Sequence, residues 1–120
     1  MITFGHPPRR AEGLIGTWAK IPAPEVVEML ALAGFDFVVI DLEHAPLNLE
    51  TAYRLITVAQ GNGMAALVRL SDRSGAQVQR LLDAGADGLL VPHVSTPAMA
   101  QAITAAMVFA PRGTRGLGAT

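Results

Sequence analysis

The sequence predicts an α/β fold built from parallel β–α units, the first four of a TIM-type (β/α)8 barrel. Three observations carry that expectation. Strand-like and helix-like segments alternate four times along the chain. The strand-like runs are apolar on both faces, as buried parallel strands are. Polar residues with useful chemistry gather where those runs end, which is where barrel enzymes place their sites.

The elements follow in order. Residues 1–12 read as a lead-in to a single domain over 1–120, with His6 and Pro7-Pro8-Arg9-Arg10 where a secretory leader would need an apolar stretch. Residues 14–19 are short and apolar and follow Gly13, as a first strand would. Pro22-Ala23-Pro24 breaks that strand, and Pro24 suits a first helical turn. Val26, Val27, Leu30 and Ala33 recur at helical spacing, and Gly34 stands where a C-terminal cap belongs. Residues 35–41 contain Phe37-Val38-Val39-Ile40, a buried strand. Asn48 is placed to cap a helix over 49–60, which Gly61-Asn62-Gly63 ends. Residues 64–70 are a third strand, 71–75 a polar loop and 76–84 a third helix closed by Gly85. A fourth strand falls within 87–94, around Leu89-Leu90-Val91. Ser95 or Thr96 caps a fourth helix with Pro97 in its first turn, running to about residue 109. Residues 111–118 form a Gly-rich loop.

Residues 33–40 match residues 84–91 at a shift of 51. Both segments read helix end, Gly, Asp, buried strand. Either the chain repeats a pair of βα units, or two turns use the same chemistry. Four units with short loops fit part of a doubly wound sheet or half of a barrel. No G-x-G-x-x-G follows the first strand and no G-x-x-x-x-G-K-[ST] occurs anywhere, so dinucleotide and P-loop readings lose their support. The placement of polar residues at strand ends favours the barrel.

Composition narrows the function. With 120 residues, 51% of them apolar and 16% charged, the chain can bury a core and is not of the disordered class. Nine Lys and Arg against ten Asp and Glu leave a net charge of −1, which argues against a nucleic-acid partner. The absence of Cys excludes disulfides, thiolate catalysis and Cys-based zinc sites. No apolar run approaches the roughly 20 residues that span a bilayer. The expectation is a soluble, cytoplasmic α/β domain.

Asp41-Leu42-Glu43-His44 is the strongest local signal: a buried strand ends in two carboxylates and an imidazole. A carboxylate beside an imidazole fixes its tautomer and makes a base that works near neutral pH; a capped strand end with solvated charges is the plainer alternative. Arg69, in the apolar run Leu67-Val68-Arg69-Leu70, needs an anionic partner. That partner is Asp41 or Glu43, or a substrate carboxylate or enolate. Asp83 lies unfavourably in the last turn of a helix, and Arg80 is its nearest sequence partner. Trp18 either walls a pocket or packs in the core. His93 either faces the same mouth or is structural. Arg112 and Arg115 either embrace an anion or sit in a solvated loop, and Lys20 is a further polar residue at the end of the first strand.

Taken in order, Gly16-Thr17-Trp18, Ala33-Gly34-Phe35-Asp36, Ile40-Asp41-Leu42-Glu43-His44-Ala45-Pro46, Val68-Arg69, Leu81-Leu82-Asp83-Ala84-Gly85, Val91-Pro92 and Pro111-Arg112-Gly113-Thr114-Arg115-Gly116 resemble the HpcH/HpaI aldolase family. These are metal-dependent class II aldolases of 2-keto-3-deoxy acids, and the resemblance runs over nearly the whole chain. It implies a (β/α)8 barrel in trimers or hexamers, and cleavage of an oxo acid to pyruvate and an aldehyde through an enolate held by Mg²⁺ or Mn²⁺. His44 would then be the general base, with Asp41 orienting it. Arg69 would bind substrate and stabilise the enolate, and Trp18 would line the pyruvate pocket. Glu43 would belong to the network behind the metal site. Asp83 would raise the basicity of the histidine, from this or a neighbouring subunit. The related lyases acting on CoA thioesters fit the pattern less well. The family's metal ligands lie on strands that would follow Thr120. The expectation is therefore half an active site, inactive unless completed. The alternatives are a half-barrel oligomerisation or binding module, or a truncated gene product.

Overall fold

The computed structural model describes residues 13–118. Four strands alternate with four helices: β1 (Gly16–Ala19), α1 (Pro24–Leu32), β2 (Phe37–Asp41), α2 (Leu49–Gly61), β3 (Ala65–Arg69), α3 (Gly75–Asp83), β4 (Gly88–Leu90) and α4 (Pro97–Met107). The strands form one parallel sheet in the order β1-β2-β3-β4. A doubly wound sheet reverses its order at a switch point and carries helices on both faces. Here the order is sequential and each helix packs on the next, which is the barrel arrangement.

The two faces of the sheet do different work because strand side chains alternate. Val38, Ile40, Ala66 and Val68 point toward the helices and join Val27, Ala31, Leu55, Ile56, Ala59, Val78 and Leu81 in one buried cluster. The alternate residues Phe37, Val39, Asp41, Leu67 and Arg69 lie on the opposite face, together with Trp18. Gly16 is required on that face, since a Cβ there would stand 2.2 Å from the Phe37 ring.

Helix starts match their caps. The Asn48 side chain accepts the Thr51 N–H at 2.8 Å, and Thr96 rather than Ser95 caps α4 by accepting the Met99 N–H at 3.2 Å. Ser74 caps α3 through the Gln77 N–H, so that helix begins one residue earlier than its sequence suggests. Strand β4 is shorter than its apolar run because Pro92 has no N–H for the ladder and His93 turns left-handed at φ 57°. Among the described residues no helix is long and apolar enough to cross a membrane.

The 51-residue repeat is structural. Gly34 and Gly85 take φ of 90° and 95° at matching helix ends. Asp36 accepts the Ile15 N–H at 2.9 Å, and its counterpart Asp87 accepts the Ala66 N–H at 2.8 Å. The return bonds, Asp36 N–H to the Ile15 carbonyl and Asp87 N–H to the Ala66 carbonyl, measure 2.8 and 2.9 Å. In each copy one aspartate thus ties the start of its strand to the strand before it. Removing either carboxylate orphans a backbone donor at the sheet's lower end. Asp36→Ala and Asp87→Ala are each expected to cost about 2 kcal/mol, Asp36 the more because it is the more buried. Urea midpoints measure this, and unchanged midpoints would show that the ladder alone holds the strands.

Candidate active site

The site is built by sheet register. Asp41 ends β2 and Arg69 ends β3, and the two are direct partners in the parallel ladder. Both face away from the helices, so the carboxylate meets the guanidinium across the sheet. Arg69 donates Nε–H to Asp41 Oδ1 at 2.9 Å and Nη2–H to Oδ2 at 2.6 Å, a two-pronged pair. The Asp41 side chain is fully buried and that of Arg69 is 18% exposed. Arg69 holds the Asp41 carboxyl well below the usual carboxylate range, helped by two backbone N–H groups and opposed by burial. The same bond raises the Arg69 pKa further. From β1, the Trp18 ring lies 4.5 Å from the guanidinium carbon of Arg69, a cation–π contact. Lys20, two residues past Trp18 and therefore on the same face, sits 3.4 Å from Asp41 Oδ2.

Asp41 also shapes the loop that follows it. Its Oδ1 accepts the backbone N–H groups of Glu43 at 3.0 Å and His44 at 3.1 Å, an Asx-type turn. The pattern of carboxylate and imidazole suggested a side-chain pair, whereas Asp41 meets His44 through the backbone because Arg69 occupies its oxygens. The His44 ring, largely exposed, lies nearest Glu43, at 3.7 Å. Glu43 is only 13% exposed; its Oε2 is 3.4 Å from Arg69 Nη1 and its Oε1 2.9 Å from His93 Nε2. Residues from all four strand ends thus converge at one mouth.

Asp83 does not join them. It ends α3, and helices of a βα unit run opposite to the strands, so it lies at the other end of the sheet. Its partner is Arg115 at 2.6 Å, not Arg80. Arg115 also stacks on Phe109 at 4.5 Å. These two contacts give Arg115 a structural task. Arg112 lines a separate hollow with Ala100, Gln101, Thr104, Ala105 and Val108, so the two arginines do not form one anion cradle. The role of Lys20 is not evident from the sequence alone, where its two-residue spacing from Trp18 is the available signal. The Glu43–His93 contact has no local signal, because the two residues lie 50 apart.

Among the described residues no group of three or more His, Cys, Asp or Glu could hold a metal ion. Both Asp41 oxygens are taken by Arg69, and Glu43 is engaged by Arg69 and His93, so these residues do not form a metal site by themselves.

The profile of the HpcH/HpaI aldolase/citrate lyase family matches residues 14–120. The chain belongs to that family. The hydroxypyruvate/pyruvate aldolase of Roseovarius nubinhibens is 40% identical over 106 residues, covering 88% of this chain and 41% of that protein. A 5-keto-4-deoxy-D-glucarate aldolase of Escherichia coli is 36% identical over 103 residues, covering 86% and 40%. The crystal structure of an HpcH/HpaI aldolase from Desulfitobacterium hafniense DCB-2 superposes with a TM-score of 0.83 at 34% identity, covering 88% of this chain and 41% of that one. This HpcH/HpaI chain therefore spans about two fifths of the length of the relatives it matches, and its four βα units correspond to half of a TIM-type barrel.

Proposed function

We propose that this chain supplies the general base and the enolate-stabilising cation of a carbon–carbon lyase. The reaction is cleavage of 4-hydroxy-2-oxo acids, including 2-keto-3-deoxy acids, to pyruvate and an aldehyde. The observation that carries this reading is the Arg69 guanidinium, fixed from behind by buried Asp41 and from below by Trp18, with its outer edge at the mouth of the sheet. A cation held in this way costs no reorganisation when negative charge develops beside it.

In the cleavage direction a base takes the proton of the C4 hydroxyl. The C3–C4 bond then breaks, its electron pair passes to the pyruvate enolate, and the aldehyde leaves. The protonated base then returns its proton to C3 of the enolate, which gives pyruvate and restores the base. His44 is the base: its ring is accessible, and the turn that carries it is anchored on Asp41. Arg69 donates to the enolate oxygen and Trp18 walls the pyruvate side. Asp83, at the far end of the sheet in its own chain, acts on the histidine of a neighbouring copy in the oligomer. The Mg²⁺ or Mn²⁺ implied by the resemblance would be held by residues outside those described.

The test is pyruvate release from a panel of 4-hydroxy-2-oxo acids with Mg²⁺ or Mn²⁺, using this chain alone and this chain completed by the C-terminal half of the barrel. Turnover is expected only in the completed form. Robust turnover by the chain alone, or none by the completed protein on any substrate, would overturn the reading. A second reading, a non-catalytic half-barrel binding module, is favoured by exposure of Trp18 and Leu90 on the face away from the helices. A stable dimer of the chain by light scattering, with no turnover in either form, would select it.

A further inference from the structure

We infer that His93 is a positioning residue: it holds Glu43 in place, and through Glu43 the outer edge of Arg69. The inference rests on the aldolase reading above.

His93 is the one non-glycine among the described residues with a positive φ, at 57°. Left-handed backbone at a side-chain-bearing residue persists where surrounding contacts hold it, and such positions gather at functional sites. Two contacts hold this one. Arg73, from the loop before α3, donates to the His93 carbonyl at 2.6 Å. The His93 ring bonds Glu43 Oε1 at 2.9 Å. The turn therefore aims the imidazole back across the mouth, from the end of β4 to the loop after β2.

Glu43 is the hub. Its two oxygens face different partners: Oε1 meets His93, while Oε2 faces Arg69 Nη1 at 3.4 Å and His44 Nε2 at 3.7 Å. Without His93 no other contact among the described residues fixes Oε1, and the carboxylate is free to turn both oxygens toward Arg69 and His44. It would then occupy the guanidinium edge that substrate needs and draw on the ring that acts as base. His93 thus keeps Glu43 to one oxygen on the catalytic side.

The experiment uses the completed enzyme and the variants His93→Ala, His93→Gly and His93→Gln, each also in a Glu43→Gln background. His93→Ala is expected to lower kcat by roughly ten- to a hundredfold, with KM within about twofold. His93→Gly accepts the same backbone without a Cβ, so its urea midpoint should not fall although its kcat does. His93→Gln, whose amide can still donate to Glu43, should recover most of the lost rate. In the Glu43→Gln background the His93 substitutions should add nothing further. Losses that are equal in both backgrounds, or that track a falling urea midpoint in every variant, would overturn the inference.

A readout independent of turnover separates this inference from the aldolase reading. The chain has three histidines, so the imidazole ¹⁵N resonances of His93 can be assigned in the chain itself. Glu43→Gln should displace them. Unmoved resonances would overturn the inference even in an active enzyme, and displaced ones would support the contact even if no oxo acid is cleaved.

Discussion

Arg69→Ala is expected to lower kcat/KM for aldol cleavage by the completed enzyme by about 10²–10³-fold, the usual effect of removing one preorganised donor from a developing oxyanion. Arg69→Lys should do nearly as badly. An ammonium is a point charge, and it cannot reproduce the fork that meets Asp41 Oδ1 and Oδ2 at once. Its position over Trp18 would be lost with that fork. The loss should appear in kcat rather than KM, since the charge that Arg69 meets is largest in the transition state. Initial rates on protein of verified near-UV circular dichroism separate this effect from unfolding. A lysine variant with near-native kcat would show that a nearby positive charge is enough and that the fork is not used.

The second large effect concerns stability. Asp41→Asn is expected to destabilise the fold by about 3 kcal/mol, the lower end of the range for breaking a buried charge pair. The lower end applies because Arg69 keeps Glu43 and some solvent. The same variant should lose the acid sensitivity of the parent. Arg69 depresses the Asp41 pKa in the folded state, so the folded carboxyl holds its proton less tightly than the unfolded one. Its stabilising contribution is complete above the unfolded value of about 3.9 and declines as pH falls through and below it. The parent chain should therefore lose stability steeply below about pH 4, while Asp41→Asn, less stable at neutral pH, shows a flatter acid limb. Urea midpoints collected from pH 7 to pH 3 measure both, and parallel curves for the two proteins would place the acid sensitivity elsewhere.

Much of the fold could be read from the chain because each element carries its own punctuation. Asn48, Pro24, Pro97, Gly34 and Gly85 act within a turn of where they stand: Asn48 is an N-cap, the two prolines open their helices, and the two glycines turn left-handed at helix ends. Apolar runs such as Phe37-Val38-Val39-Ile40 are what a strand buried against helices on one face and largely shielded on the other requires. Arg69 was legible for a related reason, since a charge inside such a run demands a partner. The partner itself was not, because Asp41 and Glu43 both satisfy that demand and only the ladder register selects Asp41.

Contacts between loops were the least legible. Nothing local to His93 says that its backbone turns left-handed or that Glu43, 50 residues away, receives its ring. Asp83 shows the opposite failure. Its unfavourable place in the last turn of α3 correctly demanded a cation, but helical spacing pointed to Arg80, whereas the loop after α4 folds back to bring Arg115. The 51-residue repeat was visible as letters. Its meaning, an aspartate tying each strand start to the preceding strand, needed the hydrogen bonds of Asp36 and Asp87.

In the proposed reaction, this chain's Asp41, Arg69 and His44 make and hold a pyruvate enolate. The most direct measurement is exchange of the pyruvate methyl protons for deuterium in D₂O, followed by ¹H NMR with the completed enzyme, Mg²⁺ or Mn²⁺ and no aldehyde. Exchange requires deprotonation at C3 and return of a solvent deuteron, and nothing else in the reaction. The completed enzyme should exchange the methyl protons, and Arg69→Ala and His44→Ala should each suppress the exchange. Exchange at an unchanged rate in both variants, or oxo-acid cleavage by an enzyme that exchanges no protons of pyruvate, would contradict these roles.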